Sequence, residues 1–215
     1  MVEIAILVGG PEMSLPDLHK LDHDGLLWIG VDRGAVRLLE LGIKPHIALG
    51  DFDSVSKDEF EWIKKEVKDV RRFKAEKDAT DTELAVEAAF TEFVPEKVTI
   101  YGATGGRLDH LLNNLWLVFQ PKVRPHLAKL QISDRQNSVS YYQPGTYELK
   151  KEEDKKYLAF ICLTAVEKLT LFDAKYQLKE ADFAYPTSLA SNEFVSDTTL
   201  FSFQTGLIAV IQSKD

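Results

Sequence analysis

Lys97-Val98-Thr99-Ile100-Tyr101-Gly102-Ala103-Thr104-Gly105-Gly106-Arg107-Leu108-Asp109-His110 reads as a β-strand, a glycine-rich turn and the first turn of a helix. The strand is short and β-branched, and the helix that follows is predicted to run from Arg107 to Phe119. Leu108, Leu111, Leu112, Leu115 and Phe119 are its expected buried stripe, which leaves Asp109 off that stripe in the first turn. Glycines between a strand and a helix let the backbone approach phosphate oxygens, and the helix N-terminus supplies N–H donors without intrahelical partners. Arg107 adds a planar fork suited to two phosphate oxygens. The plainer reading is a tight turn in which Asp109 complements the helix dipole.

Working outward from this unit, the same grammar repeats upstream. Ile4 to Val8, Leu26 to Val31, Ile47 to Leu49 and Val70 to Phe73 are expected strands. Gly34 to Leu41, Lys57 to Val67 and Thr80 to Phe93 are expected helices between them. Strands alternating with helices of this length imply right-handed crossovers and a mostly parallel sheet. Downstream the grammar changes. From about Lys129 the chain shows strand-like runs and turns with no convincing helix, including Val139 to Tyr142, Gly145 to Leu149, Tyr157 to Leu163, Lys168 to Phe172 and Leu207 to Ile211. The expectation is an N-terminal, mostly parallel α/β domain over 1–128 and a smaller C-terminal all-β, sandwich-like domain over 129–215.

Ligands of parallel α/β sheets bind outside the carboxyl ends of the strands. The acidic and glycine-rich motifs here all follow strands: Asp32 the second, Asp51 and Asp53 the third, Lys77-Asp78 with Asp81 the fourth, and Gly102 to Asp109 the fifth. In Gly50-Asp51-Phe52-Asp53-Ser54 the two aspartates offer hard oxygen ligands of the kind Mg²⁺ prefers. The helix after them has its own start signal, a capping box from Ser56 to Glu59, so they are not needed as caps. In Lys77-Asp78-Ala79-Thr80-Asp81-Thr82-Glu83, capping accounts for Thr80, Asp81 and Glu83. It leaves Lys77 and Asp78 unexplained, as a phosphate contact and a metal or substrate ligand.

Composition narrows the classes. The 215 residues carry a formal net charge of −8, with 45% apolar and 28% charged residues, as in a folded globular protein. No cationic footprint for a nucleic acid is present. An acidic protein that handles a polyphosphate needs a divalent metal on its carboxylates. Cys162 is the one cysteine, which excludes an intrachain disulfide. No apolar run reaches the ~20 residues of a membrane helix. Met1 to Gly10 lacks the basic start and cleavage site of a signal peptide, so a cytoplasmic protein is expected. Neither a P-loop nor a Gly-x-Gly-x-x-Gly fingerprint occurs, and the five histidines show no metal-binding spacing.

Gly50-Asp51-Phe52-Asp53-Ser54, Lys77-Asp78-x-Thr80-Asp81 and Gly102-x-x-Gly105-Gly106-Arg107-x-Asp109-His110, in this order, resemble the thiamine pyrophosphokinase family. Asp32-x-Gly34-Ala35 and Ser191-Asn192-Glu193-Phe194 fit the same pattern. The resemblance implies transfer of a pyrophosphoryl group from ATP to the hydroxyl of thiamine, with Mg²⁺ required, in a homodimer. By the same resemblance Asp51, Asp53 and Asp109 hold or approach the metal, and Asp78 and Asp81 lie near the transfer site. Asp32, Gly34, Lys77, Thr104, Gly105 and Arg107 contact the nucleotide, and Ser191 and Asn192 the thiamine. Arg33 stands where the family often has glycine, and no tryptophan occurs after Trp116. Family members that press a late tryptophan on thiamine therefore have no direct counterpart here, and Phe194 or a tyrosine would serve instead. Rival readings are a pyrophosphokinase for another heterocyclic alcohol such as a pterin, a metal-dependent glycosyltransferase with its own Asp-x-Asp, and a catalytically silent nucleotide- or thiamine-binding protein.

Overall fold

Short β-branched strands joined by helices bury both faces of a sheet, and so their residues are apolar throughout. In the first of two units, Met1–Arg135, the order is β1 (Glu3–Leu7), α1 (Leu18–Leu21), β2 (Leu26–Val31), α2 (Arg33–Glu40), β3 (Ile47–Gly50), α3 (Lys57–Glu66), β4 (Asp69–Arg72), α4 (Asp81–Glu92), β5 (Lys97–Tyr101), α5 (Leu108–Trp116) and β6 (Leu130–Ser133). The computed structural model describes residues 2–74 and 79–215. The strands pair in the order β6-β5-β1-β2-β3-β4, every pair parallel. Ile4 to Leu7, Trp28, Ile29, Ile47 to Leu49, Val98 and Ile100 are buried and form its centre. The outer strand β4 carries Arg71, whose guanidinium pairs with Asp69 and Glu92, and its charges blunt that edge.

From β1 the chain steps through β2 and β3 to β4, then returns by α4 to β5 on the other side of β1. The order in which strands are added therefore reverses between β1 and β5, the place where open α/β sheets bind ligands. The register aligns the strand ends. Leu7 pairs with Gly30 and Tyr101, Tyr101 with Ser133, and Val31 with Leu49. Asp32, Asp51, the glycine-rich loop and Asp134 thus all leave the sheet at one edge.

Two features depart from the sequence expectation. β6 lies in the stretch read as all-β, yet it pairs parallel with β5. Its alternation of buried Leu130 and Ile132 with half-buried Gln131 and Ser133 imitates an antiparallel strand. On α5, Leu108 and Leu112 are exposed instead of forming a buried stripe. The helix is anchored by Asn114, which is buried and donates to the Ala103 carbonyl.

The second unit, Gln136–Asp215, is all-β. It comprises β7 (Asn137–Tyr142), β8 (Gly145–Lys150), β9 (Tyr157–Cys162), β10 (Val166–Leu171), β11 (Leu178–Phe183), β12 (Thr187–Glu193), β13 (Thr198–Phe203) and β14 (Ile208–Ser213). Antiparallel strands run β12-β9-β14-β7 in one layer and β11-β10-β13-β8 in the other. Period-two burial in β9 and β13 aims Leu158, Phe160, Cys162, Phe201 and Phe203 into a shared core. Burial raises the Cys162 thiol above its usual range, which keeps it inert. The chain is thus an α/β domain with a smaller all-β domain. No helix among the described residues is long and apolar enough to cross a membrane.

Candidate active site

The acidic part of the site begins where β2 ends. Asp32 takes a strained backbone conformation, φ 48 and ψ −119, and its N–H donates to the Leu49 carbonyl. Its Oδ1 accepts the Phe52 N–H at 2.9 Å, which wraps the β3–α3 turn around the carboxylate. Phe52 (φ 59) buries its ring against Phe60, with centroids 4.8 Å apart. Gly50 makes this possible, because a Cβ there would sit 1.9 Å from Asp32 Oδ1. Asp51 Oδ1 accepts the Asp53 N–H at 3.0 Å, and the Asp53 side chain faces solvent. Both expected capping boxes are formed, Ser56 with Glu59 on α3 and Thr80 with Glu83 on α4. The second one sets Asp81 in the first turn of α4.

Carboxylate oxygens of Asp32, Asp51 and Asp81, all half-buried, lie within 4.8 Å of one another. Burial raises Asp32 from 3.8 to about 6; the Phe52 N–H opposes the shift, and Asp81, Asp51 and Asp53 add to it. Such crowding of like charges is relieved by a hard cation, and three oxygen donors beside a polyphosphate fit Mg²⁺. Of the three residues expected to hold metal, Asp51 belongs to this cluster. Asp53 stands beside it, and Asp109 lies on α5.

The glycine-rich part sits at the β1/β5 reversal. A Cβ on Gly10 would lie 2.0 Å from the Gly102 carbonyl oxygen, so the loops after β1 and β5 touch backbone to backbone. The hydroxyl of Thr104 donates to Asp134 Oδ2 at 2.6 Å, and the Arg135 N–H donates to the Ser14 carbonyl at 2.8 Å. Gly105 packs against Ser14, whose Oγ would lie 2.2 Å from a Cβ there. Gly34 is buried in α2 against the Leu7 carbonyl and seats that helix on β1. Arg107 and Asp109, both exposed, form a bidentate pair at 3.1 and 2.6 Å. That pairing holds the Asp109 carboxyl near 2, since it is pulled down to about 2 mainly by the guanidinium. Arg33 extends to an ion pair with Glu59, tying α2 to α3.

Lys77 and Asp78 lie outside the described residues. In the second unit, Ser191 is exposed with φ 63 at a bulge in β12. Asn192 is buried, and its amide exchanges hydrogen bonds with both the N–H and the carbonyl of Tyr176 at 2.9 and 2.8 Å. Sequence reasoning missed Asp134. Reading Leu130 to Ser133 as a sixth parallel strand would have placed it at the same edge.

Carboxylates clustered beside a glycine-lined crevice at a sheet reversal, with a separate all-β unit, define a nucleotide-dependent transferase of the α/β class. The model of the thiamin pyrophosphokinase catalytic domain matches residues 18–130, and that of the thiamin pyrophosphokinase vitamin B1 binding domain matches residues 146–208. Thiamine pyrophosphokinase of Bacillus subtilis is 39% identical over 217 residues, covering all of both chains. The crystal structure of a thiamin pyrophosphokinase family protein from Enterococcus faecalis, 46% identical, superposes with TM-score 0.94 over all of both chains. Yeast thiamin pyrophosphokinase, 15% identical and covering 99% of this chain and 86% of its own, shares the fold at TM-score 0.74. The chain belongs to the thiamine pyrophosphokinase family. Its reaction is that of the family, moving the pyrophosphoryl group of ATP onto thiamine to give thiamine diphosphate and AMP. The comparisons do not favour a pterin alcohol as acceptor or a glycosyl transfer.

Proposed function

We propose that this transfer runs at the C-terminal edge of the first unit's sheet, in a Mg²⁺-dependent site held by Asp32, Asp51 and Asp81. The convergence of those carboxylates within 4.8 Å carries the reading. Bound there, Mg²⁺ supplies charge neutralisation on the phosphate oxygens. Asp53, two residues after Asp51 in the chain, and Asp109, at the start of α5, would add negative charge near the metal, and binding of phosphates by Arg107 would compete with its pairing to Asp109. The amides of the glycine loop and Arg107 position the polyphosphate, and Lys77 adds a further contact. Thiamine's hydroxyl attacks the β-phosphorus and AMP leaves. Asp78 is the acceptor for the hydroxyl proton while Asp81 is held on the metal, and Asp81 takes that role only where the metal leaves it. Little covalent work falls to the protein, so positioning and electrostatics dominate.

Ser191 and Asn192 are assigned to thiamine recognition within the β region, 129–215, which also contributes to a homodimer. The exposed apolar residues of α5 support a second copy as partner. Its charge of −8 makes a nucleic-acid role unfavourable, and the reaction is placed in the cytoplasm, where ATP is. Incubation with ATP, Mg²⁺ and thiamine should yield AMP and thiamine diphosphate in equal amounts, and EDTA should abolish both. Product formation that survives EDTA would remove the metal from the reading. Turnover of a pterin alcohol in place of thiamine would remove the acceptor.

A further inference from the structure

Thr104 and Asp134 form a pair whose polarity is informative. A carboxylate only accepts, so the Thr104 hydroxyl must supply the proton of the 2.6 Å bond to Asp134 Oδ2. A hydroxyl has one proton. With it engaged, Thr104 can offer the crevice only lone pairs. A phosphate oxygen, itself an acceptor, cannot use them. A ribose hydroxyl or the amino group of a purine can.

Position points the same way. Asp134 leaves β6 and Thr104 leaves β5, whereas the aspartate cluster stands at the ends of β2 and β3. At about 4.8 Å per strand, two to three strand spacings separate Thr104 from that cluster, roughly 10–15 Å. That is the separation of a nucleotide's phosphate tail from its sugar and base. A metal-bound water at the aspartates is therefore too distant to be the donor that Thr104 receives. The pair is also held in place. Asn114 fixes the adjoining Ala103 carbonyl at 3.2 Å, and the Arg135 N–H, next to Asp134, fixes the Ser14 carbonyl at 2.8 Å. Asp134 is buried, while Thr104 is half-exposed at the crevice.

We propose that Thr104, oriented by Asp134, is a specificity-determining acceptor for the nucleoside half of the donor, reading a sugar hydroxyl or base amino group and not the phosphates. The proposal rests on the nucleotide site described above and assigns its β5–β6 end to the nucleoside.

The test is calorimetric titration with Mg²⁺ of two probes, ATP and inorganic tripolyphosphate, against the wild-type chain and Thr104→Val, Thr104→Ser and Asp134→Asn. Loss of one such hydrogen bond should weaken ATP binding about tenfold in Thr104→Val. Tripolyphosphate binding should stay within about twofold, because the phosphates do not use that oxygen. Thr104→Ser, which keeps the hydroxyl, should restore ATP affinity. Asp134→Asn can turn its amide oxygen to the Thr104 hydroxyl and keep it oriented, so it should bind both probes within about twofold of wild type. In steady state Thr104→Val should raise KM for ATP while KM for thiamine is unchanged. Equal weakening of both probes in Thr104→Val would make the pair a phosphate contact or a loop staple and overturn the proposal, as would unchanged ATP affinity. Failure of the wild-type chain to bind either probe would instead overturn the nucleotide site. 2′-Deoxy-ATP and ITP then separate the sugar from the base: the probe that wild type already binds weakly, and that Thr104→Val does not weaken further, lacks the group that Thr104 reads.

Discussion

Asp32 is held in a backbone conformation, φ 48 and ψ −119, that only its surroundings sustain. Its carboxyl titrates near 6 instead of 3.8, chiefly because it is buried, with neighbouring aspartates adding to the shift. Below pH ~4 the folded and unfolded chains both carry the proton, and the group costs nothing. Between ~4 and ~6 the unfolded chain ionises first, so folding stability falls as pH rises, and above ~6 the whole cost is present. Allowing for partial exposure, that cost is about 1–2 kcal/mol. Asp32→Asn, compared with wild type by urea unfolding in EDTA, should be more stable by that amount at pH 8 and equal at pH 4. Parallel pH profiles in the two proteins would remove Asp32 as the source. Asp51→Asn tests the neighbouring ligand: turnover should fall ~10²-fold or more, the scale of losing one preorganised charge-stabilising group, with folding nearly intact. Near-normal turnover would take Asp51 out of the mechanism. The aspartates were legible in the sequence because each follows a strand, but their grouping was not. The linear motif pairs Asp51 with Asp53, whereas the turn at Phe52 buries the ring between them and sends Asp53 to solvent. Register and the start of α4 then bring Asp32 and Asp81 to Asp51, and neither is encoded in a local pattern.

Among the elements, α5 shows what periodicity can and cannot say. Leu108, Leu112 and Trp116 recur every four residues, which defines one face of a helix. Whether that face meets the chain's own core or another molecule leaves no mark on the spacing. Here they are 75%, 44% and 55% exposed. We propose this apolar face beside the Arg107–Asp109 pair as the docking surface for a second copy. Leu112→Glu combined with Trp116→Glu should convert a dimer to a monomer in sedimentation equilibrium. Because these side chains face out of the protomer, its stability should change by no more than about 0.5 kcal/mol per site. An unchanged mass in a chain that sediments as a dimer would move the interface elsewhere. The neighbouring element β6 was illegible for a related reason. Its half-buried alternation follows from its place at the end of the parallel order, where one face is less covered, and the same alternation marks antiparallel strands. By contrast β1, β3 and β5, buried almost along their whole length, could be read directly as a parallel core.

At the scale of the whole molecule, a chain of charge −8 must collect one substrate that is a cation and another that is a polyanion. The long-range field attracts thiamine and repels ATP, and both effects shrink as salt shortens the Debye length from roughly 20 Å to 6 Å between about 20 and 300 mM. The acidic cluster deepens this asymmetry at the proposed phosphate site, which is a physical reason for the proposed metal: neutralising part of the tail would lower the barrier that the fold itself erects. Raising ionic strength over that range should therefore lower kcat/KM for thiamine and raise it for Mg·ATP, each severalfold, with kcat nearly constant. Initial rates with one substrate saturating and the other limiting separate the two responses. A fall for both substrates would mean that salt acts on the site or on the assembly, and the net charge would then have no part in delivering either substrate. Opposite slopes would mean that the acidity of this chain serves the acceptor, and that the donor enters only as far as its metal shields it.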